Sequence, residues 1–228
     1  RAEEQIGGVC LAILRYGGEL FLPESFFHTL PGHIQYRVGP FCELVETLPP
    51  VDMVVSVGGD GTFLRTAATV SNSGIPILGI NTGRLGFLAA INYADVDETL
   101  QEVMRNDYRV EKRSLLKLTT DETFPPDHFN AHALNEVAIL KQDTASMLSI
   151  HAYINNEYLT SYQADGLVIA TPSGSTAYSL SIGGSILAPT TPSIILSAIA
   201  PHNLTSRSLV VDDSSLISLK VESRSHMY

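Results

Sequence analysis

Cysteine is scarce in this sequence of 228 residues, and its two copies, Cys10 and Cys42, stand alone in separate segments. A disulfide framework or a cysteine-rich zinc module needs several clustered cysteines, so the sequence excludes both. Proteins of reducing compartments use cysteine in this sparse way. We therefore predict a cytoplasmic location.

Long apolar runs are also missing. No stretch approaches the ~18 consecutive apolar residues of a membrane-spanning helix, which predicts that the protein has no membrane span. The first residues lack the basic-then-apolar pattern of a signal peptide. Apolar residues still make up 44% of the chain, enough for a folded protein with a sizeable core.

Basic residues are few: 14 Lys and Arg stand against 24 Asp and Glu, for a net charge of −10. Such a charge repels polyanions, which predicts no nucleic-acid partner. The one small basic cluster, Arg109, Lys112 and Arg113, is interpreted as a solvated hinge. An anionic ligand would then need a metal ion or backbone N–H groups to hold it.

The first half of the chain alternates strand and helix patterns. Apolar runs predict strands at residues 6–16, 51–57 and 75–80, and helices are predicted at 62–72 and 95–106. Strand, helix and strand in this order predict a parallel, Rossmann-like α/β domain. Prolines and glycines interrupt the crossover helix expected within 17–46, and we hypothesise that natural residues are missing there.

The second half changes character after about residue 110. Short strand patterns predict an all-β, β-sandwich-like domain, and Asn155-Asn156 predicts a hairpin turn. We place an N-terminal α/β domain at residues 1–108 and a C-terminal all-β domain at 109–228. The strands of the second half are predicted at 115–120, 136–140, 148–154, 158–162, 167–170, 194–198 and 216–221.

The segment 58–62, GGDGT, follows a predicted strand and leads into a helix. Its glycines let the backbone approach a ligand, and the helix start offers unpaired N–H groups to an anion. Asp60 would repel phosphate, so its presence points to a different role, either accepting a proton from an attacking hydroxyl or helping to hold Mg²⁺. The alternative is a tight turn with an Asp cap. Walker and G-x-G-x-x-G motifs are absent.

Two further polar segments follow in the β half. Asp165-Gly166 precedes a strand that runs into the hydroxyl-rich segment 171–181, where Tyr178 offers a stacking face to a base. Asn135-Glu136 places a carboxylate at the start of an apolar strand, which is costly unless a partner or a ligand binds it. A capped polar loop is the alternative for the first of these segments.

Taken in order, these segments resemble the NAD kinase family. The resemblance rests on 58–62 (GGDGT), 81–88 (NTGRLGFL), Asn135-Glu136, and 165–181 with the following Gly183-Gly184. It extends over about residues 51–203. The GGDG segment alone is shared with diacylglycerol-type lipid kinases and phosphofructokinases, and the later three segments decide for NAD kinases.

The resemblance implies transfer of the terminal phosphate of ATP to the 2′-hydroxyl of the adenosine ribose of NAD, with Mg²⁺ or another divalent metal. It makes Asp60 the proton acceptor, and Asn135 and Glu136 the contacts around that ribose. Asp165 would lie near the nicotinamide. The remaining implied nucleotide-binding residues are Gly59, Gly61, Arg65, Ser173, Thr176, Ala177, Tyr178 and Ser181.

One position departs from the family pattern. Many members carry Arg two residues before the Asp-Gly pair, where this chain has Gln163, and we carry no role over to it. The resemblance also implies a homodimer or homotetramer. Two other functions stay open: a lipid kinase that shares the GGDG loop, and a dinucleotide sensor that binds without turnover.

Overall fold

The structure is a computed structural model that describes residues 2–83, 86–120, 131–142 and 146–223. The chain divides into two compact units between Val110 and Glu111. The helices are α1 (Ala2–Arg15), α2 (Glu24–Phe27), α3 (Gly32–Val38), α4 (Asp60–Val70), α5 (Val96–Met104) and α6 (Tyr178–Ser181).

The first unit contains two parallel sheets, which confirms the predicted α/β class. One sheet pairs β1 with β2, and the other has the order β3-β4-β5. Helix α4 connects β3 to β4, so the glycine-rich segment stands at the carboxyl end of β3. These strands are β1 (Leu20–Pro23), β2 (Cys42–Val45), β3 (Val54–Val57), β4 (Ile77–Asn81) and β5 (Ile91–Asn92).

Helix α1 replaces the strand predicted at residues 6–16, so that prediction is wrong. The helix packs into two cores at once: Cys10 belongs to the cluster around β1 and α3, whereas Val9 and Ala12 belong to the cluster around β4 and α5. Burial on two sides makes its sequence apolar nearly throughout. Such a run cannot be told from a buried strand by periodicity alone.

The crossover between β1 and β2 does contain helices, contrary to the prediction that prolines interrupt it. Pro23 and Pro31 directly precede α2 and α3 as their N-caps. A proline costs little there because the first N–H groups of a helix have no intrahelical partner. The hypothesis of missing residues is therefore not needed to explain this parallel pair.

The second unit is antiparallel, as predicted. One sheet has the order β10-β9-β14 and another the order β13-β12-β11-β8, while β6 and β7 form a short pair. Its strands are β6 (Leu116–Lys117), β7 (His132–Ala133), β8 (Glu136–Leu140), β9 (Leu148–Ile154), β10 (Glu157–Ala164), β11 (Gly166–Ala170), β12 (Ser193–Ile199), β13 (Leu209–Asp212) and β14 (Ile217–Ser223).

The core of this unit lies between its two larger sheets. Ile150 and Ala152 of one sheet pack with Leu167 and Leu196 of the other, and all four are fully buried. Strand β11 is buried on both faces along its whole length, which makes it a rigid support for the loop that follows. The predicted hairpin is confirmed between β9 and β10.

The helices of the described residues are too short or too polar to cross a bilayer. None of them combines the length and the apolar character that a membrane span requires.

Candidate functional site

The glycine-rich segment forms the turn between β3 and α4, and Asp60 is the first residue of the helix. Gly58 has a φ of +156°, and a Cβ on it would lie 2.5 Å from Thr62 Oγ1, so only glycine fits there. The Gly58 N–H donates to the Ile80 carbonyl at 2.9 Å, which ties the turn to β4.

The Asp60 carboxylate is held by the backbone of a second segment, residues 86–89. Its Oδ2 accepts a hydrogen bond from the Phe87 N–H at 2.8 Å, and its Oδ1 accepts from Leu88 (3.0 Å) and Ala89 (3.3 Å). A Cβ on Gly86 would lie 2.2 Å from Oδ1. The glycine therefore makes room for the carboxylate, and the first two of the sequence segments meet at Asp60.

These hydrogen bonds set the protonation of Asp60. Partial burial acts to raise the pKa of the carboxyl, but the three backbone N–H donors outweigh it and hold the pKa below its ordinary value. The side chain is therefore ionised at neutral pH. A carboxylate has about four acceptor positions, and the three N–H groups leave one of them on Oδ2 for a further donor or a cation.

The other implied residues of this unit border open space. A Cβ on Gly59 or Gly61 would meet no atom within 4 Å, so packing within the chain does not explain either glycine. Arg65 lies one turn further along α4, is exposed, and donates to Thr62 Oγ1 at 3.4 Å. A ligand beside the turn could thus approach the backbone closely and meet a cation.

In the second unit, the turn after β11 is built directly on the start of β8. The Thr171 N–H donates to the Asn135 carbonyl at 2.8 Å, and Thr171 Oγ1 donates to the Leu134 carbonyl. The Gly174 N–H in turn donates to Thr171 Oγ1 at 3.1 Å. Since Ala170 pairs with Glu136 in the sheet, the third and fourth sequence segments lie side by side.

Two polar atoms beside this turn are buried and have no hydrogen-bond partner among the described residues: Asn135 Oδ1 and Glu136 Oε2. Burial also raises the pKa of the Glu136 carboxyl. An unpaired buried polar atom costs about 1–3 kcal/mol, so each one calls for a partner such as a water, an ion or a bound ligand. The pair marks the candidate ligand-binding region of this unit.

Glu136→Gln is expected to stabilise the unliganded chain at neutral pH. The raised pKa of Glu136 means that its ionised form is disfavoured in the folded state. The ionised carboxylate therefore begins to destabilise the fold as pH rises through the ordinary pKa of 4.5, and the destabilisation is complete above the folded-state pKa. Thermal melting should show the variant more stable at pH 7 and equal to wild type near pH 4. A variant that is less stable at pH 7 would contradict this.

The hydroxyl-rich segment follows as a 3-10 turn at Ser173–Thr176 and then as helix α6. Ser173 is nearly buried, whereas Tyr178 is 37% exposed and Ser181 is exposed. The Tyr178 ring is therefore available to a flat partner. Thr176 and Ala177 are half-buried between them.

Asp165 lies at the opposite end of β11 from this turn. Its Oδ1 forms an ion pair with Lys141 Nζ at 2.7 Å, a partner that the sequence reasoning missed because the two residues are 24 positions apart. Gln163, the departure from the family pattern, forms hydrogen bonds with Ser149 across the β9–β10 pair.

A second missed residue is Arg113: the basic cluster lies where the two units divide, but this side chain makes specific contacts that a solvated hinge does not predict. Arg113 Nη1 donates to Ser173 Oγ at 3.1 Å, and its Nη2 forms an ion pair with Glu111. The guanidinium thus reaches the candidate nucleotide-binding turn. The only signal in the sequence was the basic cluster itself, and a cluster of charges does not show which residues its side chains will contact in the fold.

The chain has a parallel α/β unit with a GGDG turn, followed by an antiparallel β unit, and both units match domains of a kinase family. The chain matches the ATP-NAD kinase N-terminal domain over residues 43–108 and the ATP-NAD kinase C-terminal domain over 134–228. The NAD kinase of Bacteroides fragilis is 49% identical over 94% of this chain and 73% of its own length. The NAD kinase of Porphyromonas gingivalis is 44% identical over 98% and 76%. The chain therefore belongs to the ATP-NAD kinase family.

Solved structures agree with this assignment. Yeast NADH kinase in complex with NADH superposes with a TM-score of 0.80 at 26% identity, over 97% of this chain and 69% of that protein. An NAD kinase from Archaeoglobus fulgidus in complex with ATP gives a TM-score of 0.64 at 28% identity, over 84% and 78%. The expectation of a kinase from the sequence is thereby confirmed.

Proposed function

We propose that the chain transfers the terminal phosphate of ATP to the 2′-hydroxyl of the adenosine ribose of NAD, producing NADP. The observation that carries the proposal is the buried, unpaired pair Asn135 Oδ1 and Glu136 Oε2, because a ribose supplies the hydroxyl donors that these acceptors lack. The relatives support the substrates: they are named NAD kinases, and solved neighbours hold NADH and ATP.

Asp60 would act as the proton acceptor. Its ionised Oδ2 has one free acceptor position, where a ribose hydroxyl can donate. The hydroxyl oxygen forms a bond to the terminal phosphorus, the bond from that phosphorus to its bridging oxygen breaks, and ADP leaves. The hydroxyl proton passes to Asp60 and then to water. The low pKa makes Asp60 a weak base, but one that is ionised at neutral pH and can therefore accept the hydroxyl proton.

Mg²⁺ would enter with the donor nucleotide. The described residues contain no group of three or more His, Cys, Asp or Glu side chains that could hold a metal ion. Mg²⁺ commonly keeps several waters and binds substrate phosphates, and because the free position of Asp60 would be taken by the ribose hydroxyl, the donor's phosphates and water would hold most of the ion. The ion would neutralise phosphate charge, for which this acidic chain has few cations of its own.

The remaining residues would hold the two nucleotides. Gly59 and Gly61 leave room for the donor's phosphates beside the start of α4, with Arg65 one turn away. Tyr178 would stack on the adenine, and Thr176, Ala177 and Ser181 would line the same region with Ser173. Asp165 would face the nicotinamide, with its charge partly balanced by Lys141. The homodimer or homotetramer and the cytoplasmic location remain predictions.

Incubation with NAD, ATP and Mg²⁺ tests the function directly. An NADP-specific dehydrogenase should report NADP in proportion to enzyme and time, and EDTA should abolish its formation. A reaction without ATP is the control. Phosphorylation of diacylglycerol instead of NAD would favour the lipid kinase, and binding of NAD with no NADP would favour the sensor. Either result would overturn the proposal.

A further inference from the structure

Arg113 connects the chain that enters the β unit to the candidate nucleotide-binding turn. Its Nη1 donates to Ser173 Oγ at 3.1 Å, and its Nη2 pairs with Glu111 Oε1. The Arg113 side chain is 31% exposed, whereas Glu111 is 51% exposed. The two contacts use separate nitrogens, which holds the guanidinium plane in one orientation.

Ser173 belongs to the segment that is hydrogen-bonded to the start of β8, where the unpaired acceptors Asn135 Oδ1 and Glu136 Oε2 lie. It begins the 3-10 turn two residues after Thr171, and Thr171 is hydrogen-bonded to the backbone of Leu134 and Asn135. Ser173 is only 9% exposed. A nearly buried hydroxyl normally has at least one hydrogen-bond partner, and its hydrogen and its oxygen can serve two different partners.

The chemistry of arginine decides how that hydroxyl is oriented. Arginine has five N–H donors and no acceptor, so the Ser173 oxygen must accept from it. The Ser173 O–H hydrogen must therefore point elsewhere, and Ser173 Oγ makes no second hydrogen bond within the part of the chain that the structure describes. Among the described residues, the hydroxyl is thus a donor without an acceptor.

We propose that Arg113 is a positioning residue: it fixes the Ser173 hydroxyl as a hydrogen-bond donor to an acceptor atom of the bound NAD. This role rests on the proposed function, since it assumes that NAD occupies the region beside Ser173. Without Arg113, the hydroxyl would rotate freely and could donate to nearby carbonyls instead. Arg113 itself acts through Ser173 and not by contact with the nucleotide.

A double-mutant cycle tests this role with NAD binding as the readout. Arg113→Met keeps the length of the side chain but removes its donors, and Ser173→Ala removes the hydroxyl. Calorimetry should show NAD binding weakened about 2–10-fold in each single variant, as expected for one hydrogen bond. The double variant should bind no more weakly than Ser173→Ala alone, because Arg113 has nothing left to orient. Arg113→Lys, which keeps a donor, should recover part of the affinity.

Glu111→Gln is the matched control. It removes the charge of the pair, but its amide oxygen can still accept from Arg113 Nη2 and the Arg113–Ser173 hydrogen bond stays, so its NAD affinity should equal that of wild type. Equal thermal midpoints for the variants would exclude a loss of fold. Provided that wild type binds NAD, two results would overturn the role of Arg113. One is a loss of NAD affinity in the double variant that equals the sum of the two single losses, and the other is an unchanged NAD affinity in Arg113→Met. A wild-type chain that binds no NAD would instead contradict the proposed function, and this role with it.

Discussion

Asp60→Asn is expected to lower turnover by about 10²–10⁴-fold while NAD binding stays largely intact, because that range is typical for the loss of a positioned general base. The substitution preserves size but removes the charge that would accept the hydroxyl proton. It also places an NH₂ group near backbone N–H donors, since three of them, from Phe87, Leu88 and Ala89, surround the carboxylate. The amide has only one oxygen to offer them.

Turnover should be measured by NADP formation and NAD affinity by calorimetry on the same preparation. Asp52→Asn makes the same change of charge at an exposed residue of the same unit, so it should leave both quantities unchanged. Equal turnover in Asp60→Asn and wild type would show that Asp60 is not the proton acceptor. A large loss of NAD affinity instead would assign Asp60 to binding.

Asp60 should also contribute to acid sensitivity. Its pKa is lower in the folded chain than in the unfolded chain, so the hydrogen bonds to residues 86–89 stabilise the fold fully above the ordinary carboxyl pKa. This contribution is lost as pH falls through the lowered folded-state pKa. Glu136 has the opposite sign, since its pKa is raised by burial and its cost disappears in acid. The two carboxyl groups thus oppose each other in the acidic range.

The sequence predicted most of the second unit because its strands alternate or form short apolar runs between turn residues. It failed at α1, where packing against two cores removed the polar face that identifies a surface helix. The crossover helices were missed for another reason. Pro23 and Pro31 are helix breakers inside a helix but ordinary residues at its start.

The candidate site was predictable in its residue types but not in its contacts. The order of the motifs identified Asp60, Asn135 and Glu136, because glycines and isolated carboxylates in apolar surroundings are visible in sequence. Nothing in the sequence showed that the Phe87 N–H would bind Asp60, or that Arg113 would reach Ser173. Such contacts join residues 27 and 60 positions apart, and only the fold brings them together.

Gly174→Ala is expected to destabilise the second unit strongly. A Cβ at this position would lie 2.1 Å from the Asn135 carbonyl oxygen and 2.5 Å from its carbonyl carbon. These atoms belong to the backbone at the start of β8, so neither can move aside without breaking the Thr171–Asn135 hydrogen bond. Overpacking costs about 1–3 kcal/mol, and contact with fixed backbone places this variant at the upper end of that range. For a chain of this length, ~3 kcal/mol lowers the melting temperature by about 6–12 °C.

Gly32→Ala is the matched control, because a Cβ there meets no atom within 4 Å and the residue begins α3. Removing a glycine at such a position reduces the entropy of the unfolded chain, so this variant should melt at the same temperature as wild type or slightly higher. Both variants replace glycine by alanine, so shifts of opposite sign in their melting temperatures would show that the packing at Gly174, and not glycine replacement in general, causes the loss. A Gly174→Ala variant that melts like wild type would mean that the turn does not press on Asn135. The proposed nucleotide site depends on that turn being fixed beside the unpaired acceptors of Asn135 and Glu136, so this result would also count against the site.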